Sequence, residues 1–185
     1  MRKILLGLGA CCALAACGPA ATPPGTTPPS TLPLETRAVG TSEGGYVTTN
    51  ADVRVLSHEV AAPVDRAWAV LPEVYRELGI AAESDPARRT VSGAARVSRR
   101  FMGEPASRVL DCGKGQYGTD IVSTYAIRMT VSTTVNPGTG THARLDTAIE
   151  AHVESDGANS VAAQCRSQGR LEAMIAERVR ARVGA

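Results

Sequence analysis

The residues of this 185-residue chain best suited to chemistry are its five cysteines and three histidines. Cys17 closes an apolar run, Ile4 to Ala16, and its thiolate form is a nucleophile. Cys112 and Cys165 stand far from that run and can either join as a disulfide or act as two soft metal ligands. The metal reading is the poorer, because two thiolates fall short of zinc's four ligands and no histidine is near them in sequence. His142 and His152 fall on the wet face of an alternating stretch, with Glu150 and Glu154 flanking the latter. Ten residues of strand hold those imidazoles roughly 33 Å apart, too far for one ion. His58 has no ligand spacing with either.

Two glycine motifs point toward other chemistry and then lose their context. Gly113-Lys114-Gly115-Gln116-Tyr117-Gly118 matches G-x-G-x-x-G. Dinucleotide binding needs a helix next, to hold the pyrophosphate at its N-terminus, whereas Thr119 to Tyr125 reads as strand. Gly40-Thr41-Ser42-Glu43-Gly44 matches the nucleophile elbow, which works only on a strained strand-to-helix turn and here lies in a linker. No nucleophile, histidine and carboxylate converge by spacing. The expectation is a non-enzymatic protein with no cofactor and no metal.

The N-terminus says where the chain goes. Arg2 and Lys3 precede an apolar stretch of about a dozen residues, too short to cross a bilayer core of roughly 30 Å, so it reads as a secretory leader. Leu14-Ala15-Ala16-Cys17 resembles the lipobox of bacterial lipoproteins. That resemblance implies diacylglycerol on the sulfur of Cys17 and cleavage before it by signal peptidase II. Gly18, where an aspartate would hold an enteric lipoprotein at the inner membrane, favours the periplasmic face of the outer membrane over the inner membrane in a two-membrane cell. Cys11 and Cys12 leave with the leader. Cys112 and Cys165 then remain as an even pair in an oxidising compartment, where a disulfide closing a loop of about 54 residues is expected.

Charge and composition narrow the partners. Twenty basic and 18 acidic residues give +2, and losing Arg2 and Lys3 brings the mature chain to zero, which argues against nucleic acid as a partner and against a polybasic lipid-binding face. Gly18 to Leu34 is mostly Pro, Thr, Ala and Gly, with six prolines that favour extended polyproline II. The chain thus divides into a leader (1–16), a lipidated cysteine with a Pro/Thr-rich disordered tether (17–45), and a globular domain (46–185).

Within that domain hydrophobic period separates helix from strand. Val53 to Val60 reads as a strand. Val64, Trp68, Leu71, Tyr75 and Leu78 recur at helical spacing, which predicts a helix over about 63–78 that Gly79 stops. Pro72 inside it removes a donor, at a cost of about 3 kcal/mol, so a kink or a split into two short helices is expected. Ile80 to Ser84 and Arg89 to Arg100 read as a hairpin turning at Asp85-Pro86, and Ser107 to Cys112 as a short strand. Tyr125 to Val135 and Ala143 to Val153 alternate strictly around the turn Asn136 to Gly140, giving the best hairpin in the chain. Leu171, Met174, Ile175, Val179 and Val183 stripe a terminal helix over about 169–183, with Ser167 as a plausible cap.

An antiparallel sheet with one apolar face needs cover, and two amphipathic helices are the available cover. This α+β order resembles the helix-grip fold. Ala62-Pro63-Val64-Asp65-Arg66-Ala67-Trp68 is similar to the opening of START-like domains, the polyketide cyclase and lipid-transfer superfamily. A helix-grip domain on a lipoprotein also resembles the BamC-type lipoproteins of outer-membrane β-barrel assembly. Asp111-Cys112-Gly113 and Cys165 to Gly169 resemble a further group of small lipoproteins, a likeness that carries no function with it. These resemblances imply either contacts with envelope proteins, as an accessory or scaffold, or a lipophilic ligand held between sheet and terminal helix. Trp68, Tyr75, Tyr125, Met129, Leu171 and Ile175 are the residues that would fill that gap as core or line it as a pocket.

Overall fold

The computed structural model describes residues 36–40, 46–50, 53–154 and 163–184. The leader, Cys17 and the proline-rich stretch up to Leu34 lie outside the described residues, as does most of the elbow-like motif. Strands β1 (Thr36–Gly40) and β2 (Tyr46–Asn50) pair antiparallel, with Val39 opposite Val47. Thr36–Gly40 falls within the expected tether (17–45). No proline falls there, so each residue can enter a ladder.

Strand β3 (Val55–Val60) leads into helix α1 (Val64–Glu77). The helix is continuous across Pro72, which corrects the expected split into two short helices. Proline withdraws only the donor that would reach the Trp68 carbonyl, and burial of Leu71, Val74 and Tyr75 around it outweighs that loss. Gly79 then stops the helix at φ +68°, its N–H donating to the Arg76 carbonyl while that of Ile80 donates to Tyr75, both at 3.0 Å. That double closure is a Schellman motif, with the C-terminal carbonyls satisfied and Ile80 turned into the core.

Strands β4 (Ala81–Asp85) and β5 (Thr90–Val97) form the expected hairpin. Its turn is fixed by Asp85, whose Oδ1 accepts from the N–H groups of Ala87 at 3.0 Å and Arg88 at 3.3 Å. Strand β5 ends at Val97, and a small hairpin follows: β6 (Arg100–Phe101) with β7 (Glu104–Pro105). The expected strand over Ser107 to Cys112 shrinks to β8 (Leu110–Asp111), because Ala106–Arg108 makes a 3₁₀ turn after Pro105. A second 3₁₀ turn, Gln116–Gly118, precedes the one-turn helix α2 (Ile121–Thr124), where the sequence reads as strand. The β-branched residues there mislead: Ile121 and Val122 are buried on one side of a turn.

The long hairpin is β9 (Ile127–Pro137) with β10 (Ala143–Val153), in register from Ile127 opposite Val153 to Pro137 opposite Ala143. Strand β11 (Gln164–Ser167) and helix α3 (Arg170–Val183) complete the chain. Gly169, at φ +82°, caps α3; Ser167 ends β11 instead and accepts from the Gly169 N–H at 3.1 Å. The cap expected at Ser167 is therefore two residues early.

The seven-stranded sheet runs β4-β5-β9-β10-β11-β8, and β3 shares the outer edge of β10 with β11. Every pairing is antiparallel. One face is buried: Ile127, Met129, Val131, Thr133 and Val135 on β9, and Ala143, Leu145, Thr147, Ile149, Ala151 and Val153 on β10. The stripe of α1 and that of α3 supply the apolar cover. The fold is α+β and helix-grip-like: an antiparallel sheet with helices gathered on one side.

Candidate functional site

The gap between sheet and helices was the candidate pocket. Tyr75, Met129, Leu171 and Ile175 meet there, all fully buried in one apolar cluster. Trp68, earlier on α1, is half-buried against the margin of that cluster. Tyr125 does not join them. It stands before β9, just after α2, and is 39 % exposed, because the alternating pattern that seemed to include it starts at Ile127.

A polar chain crosses the gap. The Tyr75 hydroxyl lies 2.8 Å from Thr133 Oγ1, which lies 2.9 Å from Thr147 Oγ1, joining α1 to β9 and β9 to β10. All three groups are buried, and burial pushes the Tyr75 phenol well above its ordinary value, so it stays a neutral donor. Threonine is nearly isosteric with valine, so the pattern alone marks Thr133 and Thr147 only as strand residues. A hydroxyl bridge from helix to sheet sets their separation at that point.

A second polar feature went unseen in the sequence. Glu172, in the first turn of α3, is only 1 % exposed, and neither carboxylate oxygen has a hydrogen-bond partner of good geometry among the described residues. Nε2 of His58, on β3, is likewise buried without a partner. Burial raises the Glu172 carboxyl above its ordinary range, against the opposing influence of the Ser167 hydroxyl, the residue's own backbone and His58. Histidine, carboxylate and hydroxyl thus gather from β3, α3 and β11. The carboxylate is enclosed, which suits it to holding a proton and not to meeting a substrate. At helical spacing Glu172 sits beside Leu171, on the edge of the apolar stripe, and that position was the only available signal.

Cys112 and Cys165 form a disulfide with a Cα separation of 4.0 Å, as expected. It ties β8 to β11, the two strands of the seven-stranded sheet with the fewest paired residues. Beyond it the glycine-rich motif closes on itself: the Gly115 N–H donates to the Thr119 carbonyl at 2.8 Å, and Lys114 pairs with Asp120. A helical turn does follow, but no parallel strand returns beside β8, so the strand-helix-strand unit of a dinucleotide site is missing among the described residues. His142 lies in the turn before β10, its Nδ1 3.8 Å from Glu59, and His152 is exposed on the outer face of β10. Among the described residues no three His, Cys, Asp or Glu side chains gather as metal ligands.

Outside the core, α3 is clamped to α1 by charge. Arg182 pairs with Glu73 at 2.7 Å and with Glu77, and Arg178 reaches Glu77 at 3.3 Å. The hydrogen bond from Arg182 leads in holding the Glu77 carboxyl below its usual range. An open groove of about 460 Å³ runs here, lined by Val70, Glu77, Arg178, Ala181 and Arg182. Its charges already answer one another. Compared with known proteins, the chain matches no family model and no curated protein.

Proposed function

We propose that this chain is an envelope lipoprotein, anchored through lipid on Cys17, whose folded domain is a non-enzymatic scaffold for protein contacts on the periplasmic side of the membrane. The lipobox-like Leu14-Ala15-Ala16-Cys17 supports the anchor, and the Gly18–Leu34 composition supports a spacer between it and the domain. The observation that carries the scaffold reading is the direct hydroxyl link from Tyr75 to Thr133, 2.8 Å, at the place where a ligand would lie. Full burial of Met129, Leu171 and Ile175 in the same apolar cluster supports this reading, because side chains that meet one another take the place a ligand would need. A disulfide in the domain agrees with an oxidising compartment.

The competing reading is START-like binding of a lipophilic molecule between sheet and α3. The half-buried Trp68 at the margin of the cluster is the residue that favours it. The test is globomycin-type inhibition of signal peptidase II combined with mass analysis. Precursor must accumulate with the leader attached, and the processed protein must carry lipid on Cys17. Mature protein appearing normally under inhibition would refute the anchor.

A further inference from the structure

Helix α3 is held to edge strand β3 at two places. Toward its C-terminal end Arg180 donates twice to the Glu59 carbonyl, from Nε at 3.2 Å and Nη2 at 2.9 Å. Its start is close and polar. A Cβ on Gly169 would lie 3.3 Å from Leu56 Cδ1, and Glu172, in the first turn, is 1 % exposed. On β3, Leu56, His58 and Val60 form the inward-turned set. Among the described residues, the buried side-chain polar atoms without a hydrogen-bond partner are three: both Glu172 oxygens and His58 Nε2. All three belong to this one junction. An apolar pair would fill the place without the cost of burying polar groups, so packing alone does not account for them.

The other charges nearby are turned elsewhere. Arg170, on the same turn of α3, binds Glu104 at 2.7 Å and reaches Glu177. On β11, Arg166 stands opposite Asp111, and Ser167 offers a hydroxyl that already accepts from the Gly169 N–H. On β10, Leu145 and Thr147 stand opposite His58 and Leu56, and the Thr147 hydroxyl is engaged with Thr133. Glu59 of β3 is bonded to Thr139, and Arg54 before it is exposed. On α1, Glu73 and Glu77 pair with Arg178 and Arg182, in the later turns of α3. The charged group that acts on Glu172 is His58.

Proton count decides which state this junction tolerates. With two protons on the pair, the imidazolium charge reaches water, because His58 is only half-buried. With one, the pair is neutral overall. With none, Glu172 is an enclosed carboxylate with no partner, the state that burial penalises most. We infer that Glu172 and His58 share one proton as a latch holding the start of α3 on β3, and that loss of this proton to solvent releases the first turns of the helix. Leu171 and Ile175 then leave the apolar gap, so the latch makes opening of the domain depend on pH. It acts whether or not the chain is lipid-anchored. Release runs upward in pH. Burial raises the Glu172 carboxyl, so the closed state holds the proton more tightly than the open one, and closure weakens from the ordinary value of 4.5 up to the raised closed value. His58 favours the carboxylate and so brings release to a lower pH than burial alone would set.

The test is amide exchange read by mass spectrometry on the full-length protein in mild detergent, disulfide intact, across a pH series corrected for intrinsic rates. Fragments covering Ala173 to Ala176 report the latch, since the Ala173 N–H donates to the Gly169 carbonyl only while the first turn is formed. Fragments of β9 report the whole domain. The opening constant of the α3 start is expected to climb by up to about tenfold per pH unit above 4.5 and then level off, with β9 protected roughly a hundredfold better throughout. Glu172→Gln, which keeps the shape, should abolish the climb. His58→Gln should carry it to a higher pH before it levels. A flat wild-type profile, or a climb that survives Glu172→Gln, overturns the latch. So does an α3 start that exchanges no faster than β9, because the domain then opens only as a whole. A levelling point unmoved in His58→Gln overturns the sharing with His58.

Discussion

Glu172 is the residue whose surroundings make the sharpest demand. Its carboxyl is raised by burial, so the folded state binds its proton more tightly than the unfolded state does. The stabilisation is full below the ordinary value of 4.5 and is lost as pH rises from there through the raised folded value. Glu172→Gln keeps the shape and removes the titration, so it should raise stability by roughly 1 kcal/mol near neutral pH and change little in acid. Urea midpoints of both proteins across pH would check this, and parallel curves would refute it. Tyr75→Phe tests the other buried polar feature. Thr133 keeps Thr147 as a partner, so the loss should be about 1 kcal/mol by the same measurement, whereas Tyr75→Ala should cost about 3–5 kcal/mol by emptying the core. Neither the Glu172 pocket nor the Tyr75–Thr133–Thr147 chain was legible in the sequence. Each depends on which residues from distant strands face one another, and hydrophobic period reports only which side a residue faces.

At the scale of elements, sequence pattern serves well where burial is one-sided. The β9 and β10 alternation and the α3 stripe correspond to their expected faces, because a register slip would turn each apolar set into water. Reading fails where elements are short. The β6–β7 hairpin, the two 3₁₀ turns and α2 span two to four residues each, too few to display a period. Pro72 shows packing limiting local propensity: of a kink or a split, the split does not occur, because the helix face is buried on both sides of the proline. Gly93 is a further point where an element depends on one residue. A Cβ there would run into the Ala81 carbonyl oxygen and lie 2.8 Å from Ile80 Cγ2, so Gly93→Ala must push β4 away from β5. A loss of about 2–3 kcal/mol in thermal or urea unfolding is expected, and an unchanged midpoint would refute the close approach.

For the molecule as a whole, the disulfide secures strands that the ladder holds poorly. Loop-closure entropy for a separation of 53 residues gives about 4 kcal/mol as an upper figure. Replacing Cys112 and Cys165 together by serine should lower stability by a large part of that, loosening β8 and β11 first, which amide exchange would locate. The pair was legible from cysteine count and compartment, and its place followed from where Cys112 ends a strand and Cys165 leads into the terminal helix. The account's central claim joins a lipid outside the domain to a filled core inside it. Native mass spectrometry of the protein extracted from membranes in mild detergent tests both at once. The account predicts a chain beginning at a lipid-bearing Cys17, two hydrogens lighter than its reduced form, with nothing else bound. A stoichiometric lipophilic adduct beyond the anchor would mean a hollow domain, and an unlipidated N-terminus would remove the anchor, either result contradicting it.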